Sequence, residues 1–145
     1  MRIARFAIAW FPALAWIGVI FYLSAQSQPL NRHPAPLLTY VAHFGEYALL
    51  AALLMWAQLS TGAWNGQLRP ALMATFVFCA LYAASDELHQ SFVPDRDASV
   101  GDWATDMVGT VFALAATARW ARSPRWRRGR YRRTAPPADP TRGRP

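Results

Sequence analysis

The sequence predicts an all-α fold, a bundle of four transmembrane helices followed by a disordered Arg-rich C-terminal tail. The 145 residues are 54% hydrophobic and 14% aromatic, and only 16% are charged, whereas about a quarter are charged in an average soluble domain. The apolar residues fall in four long blocks with short polar segments between them. We therefore expect one membrane domain over residues 1–120 and a separate basic tail over residues 121–145.

The first apolar block, Phe6 to Leu23, has 18 residues without a charge and follows Arg2 and Arg5. A helix needs about 20 apolar residues to cross a hydrocarbon core of about 30 Å. A signal peptide is the alternative, because the basic start fits one, but its apolar region is normally about 7–15 residues long. We predict a retained first span over residues 5–25.

Three further apolar blocks predict three further spans, at about 40–59, 71–89 and 100–120. The polar segments between the spans contain Pro, Gly, Asn or Ser and are typical of loops and turns.

Small residues recur at every fourth position in the third and fourth blocks. They are Ala71, Thr75, Cys79 and Ala83, and then Gly101, Thr105, Gly109, Ala113 and Thr117. Such stripes allow membrane helices to approach closely, and one interpretation is that the two stripes face each other. The other interpretation is that small residues are simply common in membrane helices.

The arginines predict the orientation of the spans. Residues 119–145 contain ten Arg and one Asp, whereas the other 118 residues contain five Arg and seven acidic residues. Four spans place both termini on the side that holds most of the arginines, and the opposite side holds only Arg32 and Arg96. By the positive-inside rule both termini are cytoplasmic, and the loops at 26–39 and 91–99 face outward.

The tail is rich in Arg and Pro and has no apolar periodicity, which is typical of disorder. Its cluster from Arg122 to Arg133 suits anionic lipid, at roughly 1 kcal/mol per residue near the surface. The alternative is a solvated tail that only sets the orientation. No folded nucleic-acid motif accompanies the cluster, so we expect no nucleic-acid partner.

This topology brings polar residues to one end of the bundle, which we call the polar end. The second span enters there, the third leaves there and the fourth enters there, so residues far apart in the sequence meet at similar depth. The residues concerned are His43, Glu46, Asp86, Glu87, His89, Asp102 and Asp106.

Carboxylates outnumber cations at the polar end, and charged groups inside a membrane need partners. One hypothesis is a divalent metal, Zn²⁺, Mn²⁺ or Fe, held by His43, Glu46, Asp86 and His89. A second hypothesis is an acid–base site in which Glu87 or Asp106 is the base, and a third is direct binding of a polar ligand. The alternative to all three is a hydrogen-bonded polar cap that only fixes the helices.

Three segments carry a resemblance to a known family. They are FYLSAQSQP, HFGEYALLAALL and SDELHQSFVPDRDASVGDWATDMVGT. In order and spacing they resemble the VanZ-like family of small integral membrane proteins, over roughly residues 5–120. The residues here that match its motifs are His43, Glu46, Ser85, Asp86, Glu87, His89, Gln90, Pro94, Arg96, Asp102 and Asp106. The family often has Gly where this chain has Asp95.

The resemblance implies a bacterial cytoplasmic membrane protein of the cell envelope, in a family named for resistance to the glycopeptide teicoplanin. Its partners would be the lipid bilayer and cell-wall intermediates or a glycopeptide. The implied binding residues are His43, Glu46, Asp86, Glu87, His89, Gln90, Arg96, Asp102 and Asp106. A membrane enzyme acting on a lipid-linked or envelope substrate is the alternative. A further alternative is a small carrier of ions or solutes, although the sequence shows no evident inverted repeat.

Overall fold

A computed structural model describes residues 2–27, 36–94, 96 and 98–123. This part of the chain forms four helices and no strand, so the prediction of an all-α bundle is confirmed. The helices are α1 (Arg2–Ser24), α2 (Pro36–Thr61), α3 (Leu68–Gln90) and α4 (Val100–Ala121). The tail predicted to be disordered lies outside the described residues from residue 124 onward.

Two helices begin earlier than predicted. The segment from Pro36 to Thr39 was expected in a loop but forms the first turn of α2, and Pro70 lies in the first turn of α3. Proline lacks an N–H and has a fixed φ, so it disrupts a helix interior but is well tolerated in the first turn, where that N–H has no partner within the helix. Reading proline as a loop signal therefore made both spans too short at their start.

Three of the described helices are long and apolar enough to cross a membrane, namely α1, α2 and α3. Large apolar side chains also cover the outside of the bundle, and on α4 the side chain of Phe112 is 62% exposed. In water such a surface would be an aggregation hazard, whereas in lipid it faces a solvent as apolar as itself. The surface is that of a membrane protein.

Helix α2 makes the most extensive contacts in the bundle, chiefly with α4 and α1, and like α3 it contacts each of the other three helices. The core around it contains Tyr47, Leu50 and Leu54 of α2, together with Ile20 of α1 and Cys79 of α3. In the described part of the chain α1 and α4 do not pack against each other. Side chains on α2 therefore lie within reach of all the other helices.

Hydrogen bonds from side chains to backbone carbonyls join the helices in pairs. The indole N–H of Trp16 donates to Glu46 O at 3.0 Å, and that of Trp103 donates to Ala80 O at 3.3 Å. The hydroxyl of Tyr82 donates to Ile17 O at 2.9 Å. Since lipid offers no competing donors or acceptors, such bonds fix how neighbouring helices are oriented.

The two small-residue stripes both contact α2. Gly109 of α4 packs against the backbone of Phe44, and Thr75 of α3 is bonded to side chains of α2. Helices α3 and α4 also pack against each other, and Cys79, Ala83 and Ala113 of the two stripes share one core cluster. The spacing correctly marked faces where helices approach, but it did not identify the partner helix.

Replacing Thr75 by Val is expected to destabilise the bundle by about 0.6–1.7 kcal/mol, the range measured for hydrogen bonds between membrane helices. The buried hydroxyl of Thr75 accepts from Gln58 Nε2 at 2.7 Å and donates to the sulfur of Met55 at 3.3 Å. The measurement is the free energy of unfolding in detergent, followed by tryptophan fluorescence.

Thr117→Val is the matched control, because the hydroxyl of Thr117 donates at 2.9 Å to Ala113 O of its own helix. Its expected effect is below about 0.5 kcal/mol. Equal losses in the two variants would show that the bond between α2 and α3 contributes nothing of its own.

Candidate functional site

The start of α4 is fixed by side chains at the polar end. Ser99 is the N-cap of α4, and its hydroxyl oxygen accepts from the backbone N–H groups of Gly101 and Asp102 at 3.1 and 3.3 Å. The backbone N–H of Ser99 in turn donates to Glu87 Oε2 at 2.6 Å. A carboxylate at a helix N-terminus is electrostatically favourable, so Glu87 of α3 determines where α4 begins.

A buried pair of side chains joins α2 to α4 one turn deeper. His43 Nδ1 lies 3.0 Å from Asp106 Oδ1, and the two residues are 8% and 0% exposed. A carboxylate bonded to one ring nitrogen sets the orientation and tautomer of an imidazole. While this bond is made, Nε2 is the ring nitrogen that Asp106 does not occupy. The other oxygen of Asp106, Oδ2, is buried and has no hydrogen-bond partner among the described residues.

The close contact between Gly109 and Phe44 makes this pair possible. A Cβ atom on Gly109 would lie 2.3 Å from the carbonyl oxygen of Phe44, closer than real Cβ contacts come. Phe44 follows His43 in α2, and Gly109 lies one turn after Asp106 in α4. The missing side chain thus lets α4 approach α2 closely enough for a short carboxylate to reach the imidazole.

A pocket of about 190 Å³ opens between α1, α2 and α3 at the polar end. Its lining combines polar and apolar side chains. The charged or amide side chains are those of His43, Glu46, Asp86, Gln90 and Arg96, and the apolar ones are those of Ile20, Leu23, Leu38 and Ala42. Asp86 Oδ2 accepts from Gln90 Nε2 at 3.0 Å, which holds two of the polar groups in place.

The predicted binding residues therefore divide into two adjoining groups. Five of them line the pocket, while Glu87 and Asp106 lie beside His43 on the side of α4. The two remaining residues, His89 and Asp102, belong to neither group. The ring of His89 stacks on Phe21 of α1 at a centroid distance of 4.8 Å. Asp102 is half-buried, and its backbone N–H bonds to the N-cap.

The acidic residues next to Arg96 in the sequence lie outside the part of the chain that the structure describes. Arg96 itself is half-buried and lines the pocket, whereas Asp95, Asp97 and Arg32 are not among the described residues. Its Nε atom is buried and has no hydrogen bond to any described group.

The side chains that converge most closely are not the four that the sequence suggests as metal ligands. Ligand atoms of His43, Glu87 and Asp106 lie within 4.8 Å of one another, and all three residues are buried. Only His43 is common to both sets. The predicted set took two residues three positions apart from each of two helices. The folded bundle instead brings together one residue from each of three helices.

Sequence reasoning did not single out two residues of this region. Tyr47 is fully buried beside Glu46, its ring lies 6.2 Å from that of Tyr82, and its hydroxyl has no partner among the described residues. Ser99 provides the N-cap of α4. The signal for Ser99 was present as a serine just before an apolar block, whereas Tyr47 looks like any core aromatic residue.

Helices long enough to cross a membrane and an apolar outer surface define a small α-helical membrane protein with a cluster of buried polar side chains at one end. A sequence model of the VanZ/LLP1 family matches residues 9–121. The chain belongs to this family, and the resemblance inferred from its motifs is confirmed. Comparisons with curated proteins and with solved structures found no match.

Proposed function

We propose that this protein is a binding protein of the bacterial cell envelope that accepts the polar group of an amphiphilic ligand in the pocket at its polar end. The observation that carries the proposal is the mixed lining of that pocket. Glu46, Asp86 and Arg96 offer charges to a polar head, while Ile20 and Leu38 offer an apolar wall. Specific sites combine a mostly apolar wall with a few polar groups that orient the ligand.

The proposed topology has four spans in the cytoplasmic membrane with both termini in the cytoplasm. The excess of Arg in the tail supports this orientation through the positive-inside rule. The exposed apolar side chains of α4, such as Phe112, support a place for that helix in the lipid. The pocket then opens at the outer leaflet, where cell-wall intermediates and glycopeptides are found. The Arg-rich tail would contact anionic lipid on the inner side.

The test is teicoplanin susceptibility in a sensitive bacterial host that expresses the full chain. We expect the wild-type protein to raise the inhibitory concentration severalfold. Asp86→Asn should abolish that rise, because it removes a charge from the pocket while an amide can still bond to Gln90. Asp102→Asn is the control, since Asp102 does not line the pocket. Resistance that is absent with the wild type, or is kept by Asp86→Asn, would contradict the proposal.

A second candidate, a membrane enzyme acting on an envelope substrate, is favoured by the His43–Asp106 pair. In it Asp106 would position His43, and Nε2 of His43 would be the general base. Glu87 is bonded to the backbone of Ser99, so it would act mainly on the start of α4. Altered lipid or muropeptide profiles in cells that express the wild type, but not in cells that express His43→Gln, would support the enzyme. Identical profiles would count against it.

A further inference from the structure

Three buried side chains at the polar end converge from three different helices. They are His43 of α2, Glu87 of α3 and Asp106 of α4, which are 8%, 9% and 0% exposed. One ligand atom from each residue lies within 4.8 Å of the corresponding atom on the other two. These atoms are an imidazole nitrogen and two carboxylate oxygens, which are common metal ligands.

The hydrogen bonds around this group leave one oxygen of each carboxylate without a partner. Glu87 Oε2 accepts from the Ser99 N–H, and Asp106 Oδ1 bonds to His43 Nδ1. Glu87 Oε1 and Asp106 Oδ2 are buried and bond to no described group. An unpartnered buried acceptor costs about 1–3 kcal/mol, and more when it is charged. Two carboxylates beside one imidazole also leave an excess of negative charge that a cation would neutralise.

We propose that His43, Glu87 and Asp106 bind one divalent transition-metal ion. One imidazole and two carboxylates suit Zn²⁺, Mn²⁺ or Fe²⁺, whereas Ca²⁺ and Mg²⁺ prefer oxygen ligands alone. Ligands bonded at about 2.0–2.2 Å to one ion lie roughly 3–3.5 Å apart. Binding would therefore draw the ligand atoms together by roughly 1.3–1.8 Å at most. An ion held by Nδ1 of His43 would take the place of the hydrogen bond that now joins this atom to Asp106. Three protein ligands leave a coordination position for water or another ligand.

The alternative ligand set of His43, Glu46, Asp86 and His89 is less well placed. Asp86 Oδ2 already accepts a hydrogen bond from Gln90, and the His89 ring stacks on Phe21. Neither residue belongs to the convergent group. The geometry therefore favours Glu87 and Asp106, which lie beside His43 on the side of α4, as the two carboxylate ligands.

The experiment uses the full chain purified in detergent. Its metal content is measured by mass spectrometry, and the chelator-treated protein is then titrated with Zn²⁺, Mn²⁺ and Co²⁺. We expect one equivalent of at least one of these ions to bind per chain. Glu87→Gln keeps the size of the side chain and its acceptor for Ser99, and should weaken binding by at least about 10–100-fold, the loss seen even for outer-shell partners.

Glu46→Gln is the matched control, since Glu46 is a half-buried carboxylate of α2 outside the convergent group. Its loss of affinity should be far smaller than that of Glu87→Gln, because the Glu46 carboxylate does not belong to the convergent group. The proposal would be overturned by wild-type protein that contains no transition metal as purified and binds none of the three ions. Loss of binding in Glu46→Gln together with full binding in Glu87→Gln would also overturn it. If Glu87→Gln does not fold, the test is the visible spectrum of Co²⁺ added to the wild-type protein. A spectrum identical to that of Co²⁺ in buffer would show that no protein ligand binds the ion and would overturn the proposal.

This proposal does not rest on the proposed envelope ligand, although His43 is common to the metal group and the pocket. The titration contains no glycopeptide and no lipid-linked intermediate. Metal binding without resistance would contradict only the proposed envelope function. Resistance without metal binding would contradict only the metal site.

Discussion

Replacing Asp106 by Ala is expected to lower the free energy of unfolding by about 3–5 kcal/mol, the usual cost of removing one partner from a buried charged pair. Asp106 is fully buried, and its side chain bonds α4 to His43 of α2 across 63 positions of sequence. The substitution leaves the imidazole without its partner and opens a cavity between the two helices. Unfolding in detergent, followed by tryptophan fluorescence, measures the loss.

Asp102→Ala is the control for this prediction, because Asp102 lies one turn earlier on α4, is half-buried and makes no side-chain hydrogen bond to a described residue. Its expected effect is within about 0.5 kcal/mol. A double variant with His43→Ala tests the pair directly, since it should lose less than the sum of the two single variants. Strict additivity would mean that His43 and Asp106 do not stabilise each other.

Gly109→Ala is expected to destabilise the bundle by about 1–3 kcal/mol, the typical cost of overpacking a close contact. The new Cβ would lie 2.3 Å from the carbonyl oxygen of Phe44, 3.0 Å from its carbonyl carbon and 3.1 Å from its Cα. These are backbone atoms that cannot rotate away, so α4 has to move as a whole. Because Asp106 lies one turn from Gly109, the same shift should separate its carboxylate from His43 and weaken metal binding at the proposed site.

Gly45→Ala is a close control for this variant, because a Cβ there meets no atom within 4 Å and Gly45 lies beside Phe44 on α2. Alanine is favoured over glycine in a helix interior by about 0.5–1 kcal/mol, so Gly45→Ala should be neutral or slightly stabilising. If both variants melt like the wild type, the close approach of α2 and α4 is not required for stability.

Much of the fold follows from local pattern. The apolar blocks of α1, α2 and α3 are each long enough to cross a membrane. In lipid such a block forms a helix, because lipid cannot satisfy free backbone N–H and C=O groups. The small residues at Thr75 and Gly109 marked faces of close approach. The start of α2 was missed because proline disfavours a helix interior yet is accepted in its first turn, and a local pattern of Pro and Leu does not distinguish the two cases.

The candidate site was only partly predictable. The depth of Glu46, Asp86 and Asp106 follows from the rise of a helix, which is why these residues could be placed at one end of the bundle. Their partners depend on how each helix is rotated about its own axis. That rotation is set by side-chain packing, such as Phe44 against Gly109, and by bonds such as that of Trp103 to Ala80. Spacing along a single helix can mark a face of close approach, but it does not say which side chain of a neighbouring helix that face meets.

The sequence by itself therefore determined the class of the protein, its family and the end of the bundle at which the polar residues gather. Apolar length and helical rise are properties of a single segment, so they can be predicted without knowing how the other segments pack. Only the tertiary structure decided that Asp106 bonds to His43, that Glu87 bonds to the start of α4, and that Glu46 and Asp86 line an adjoining pocket. Contacts between helices depend on the packing of all four at once, so no single stretch of the chain contains them.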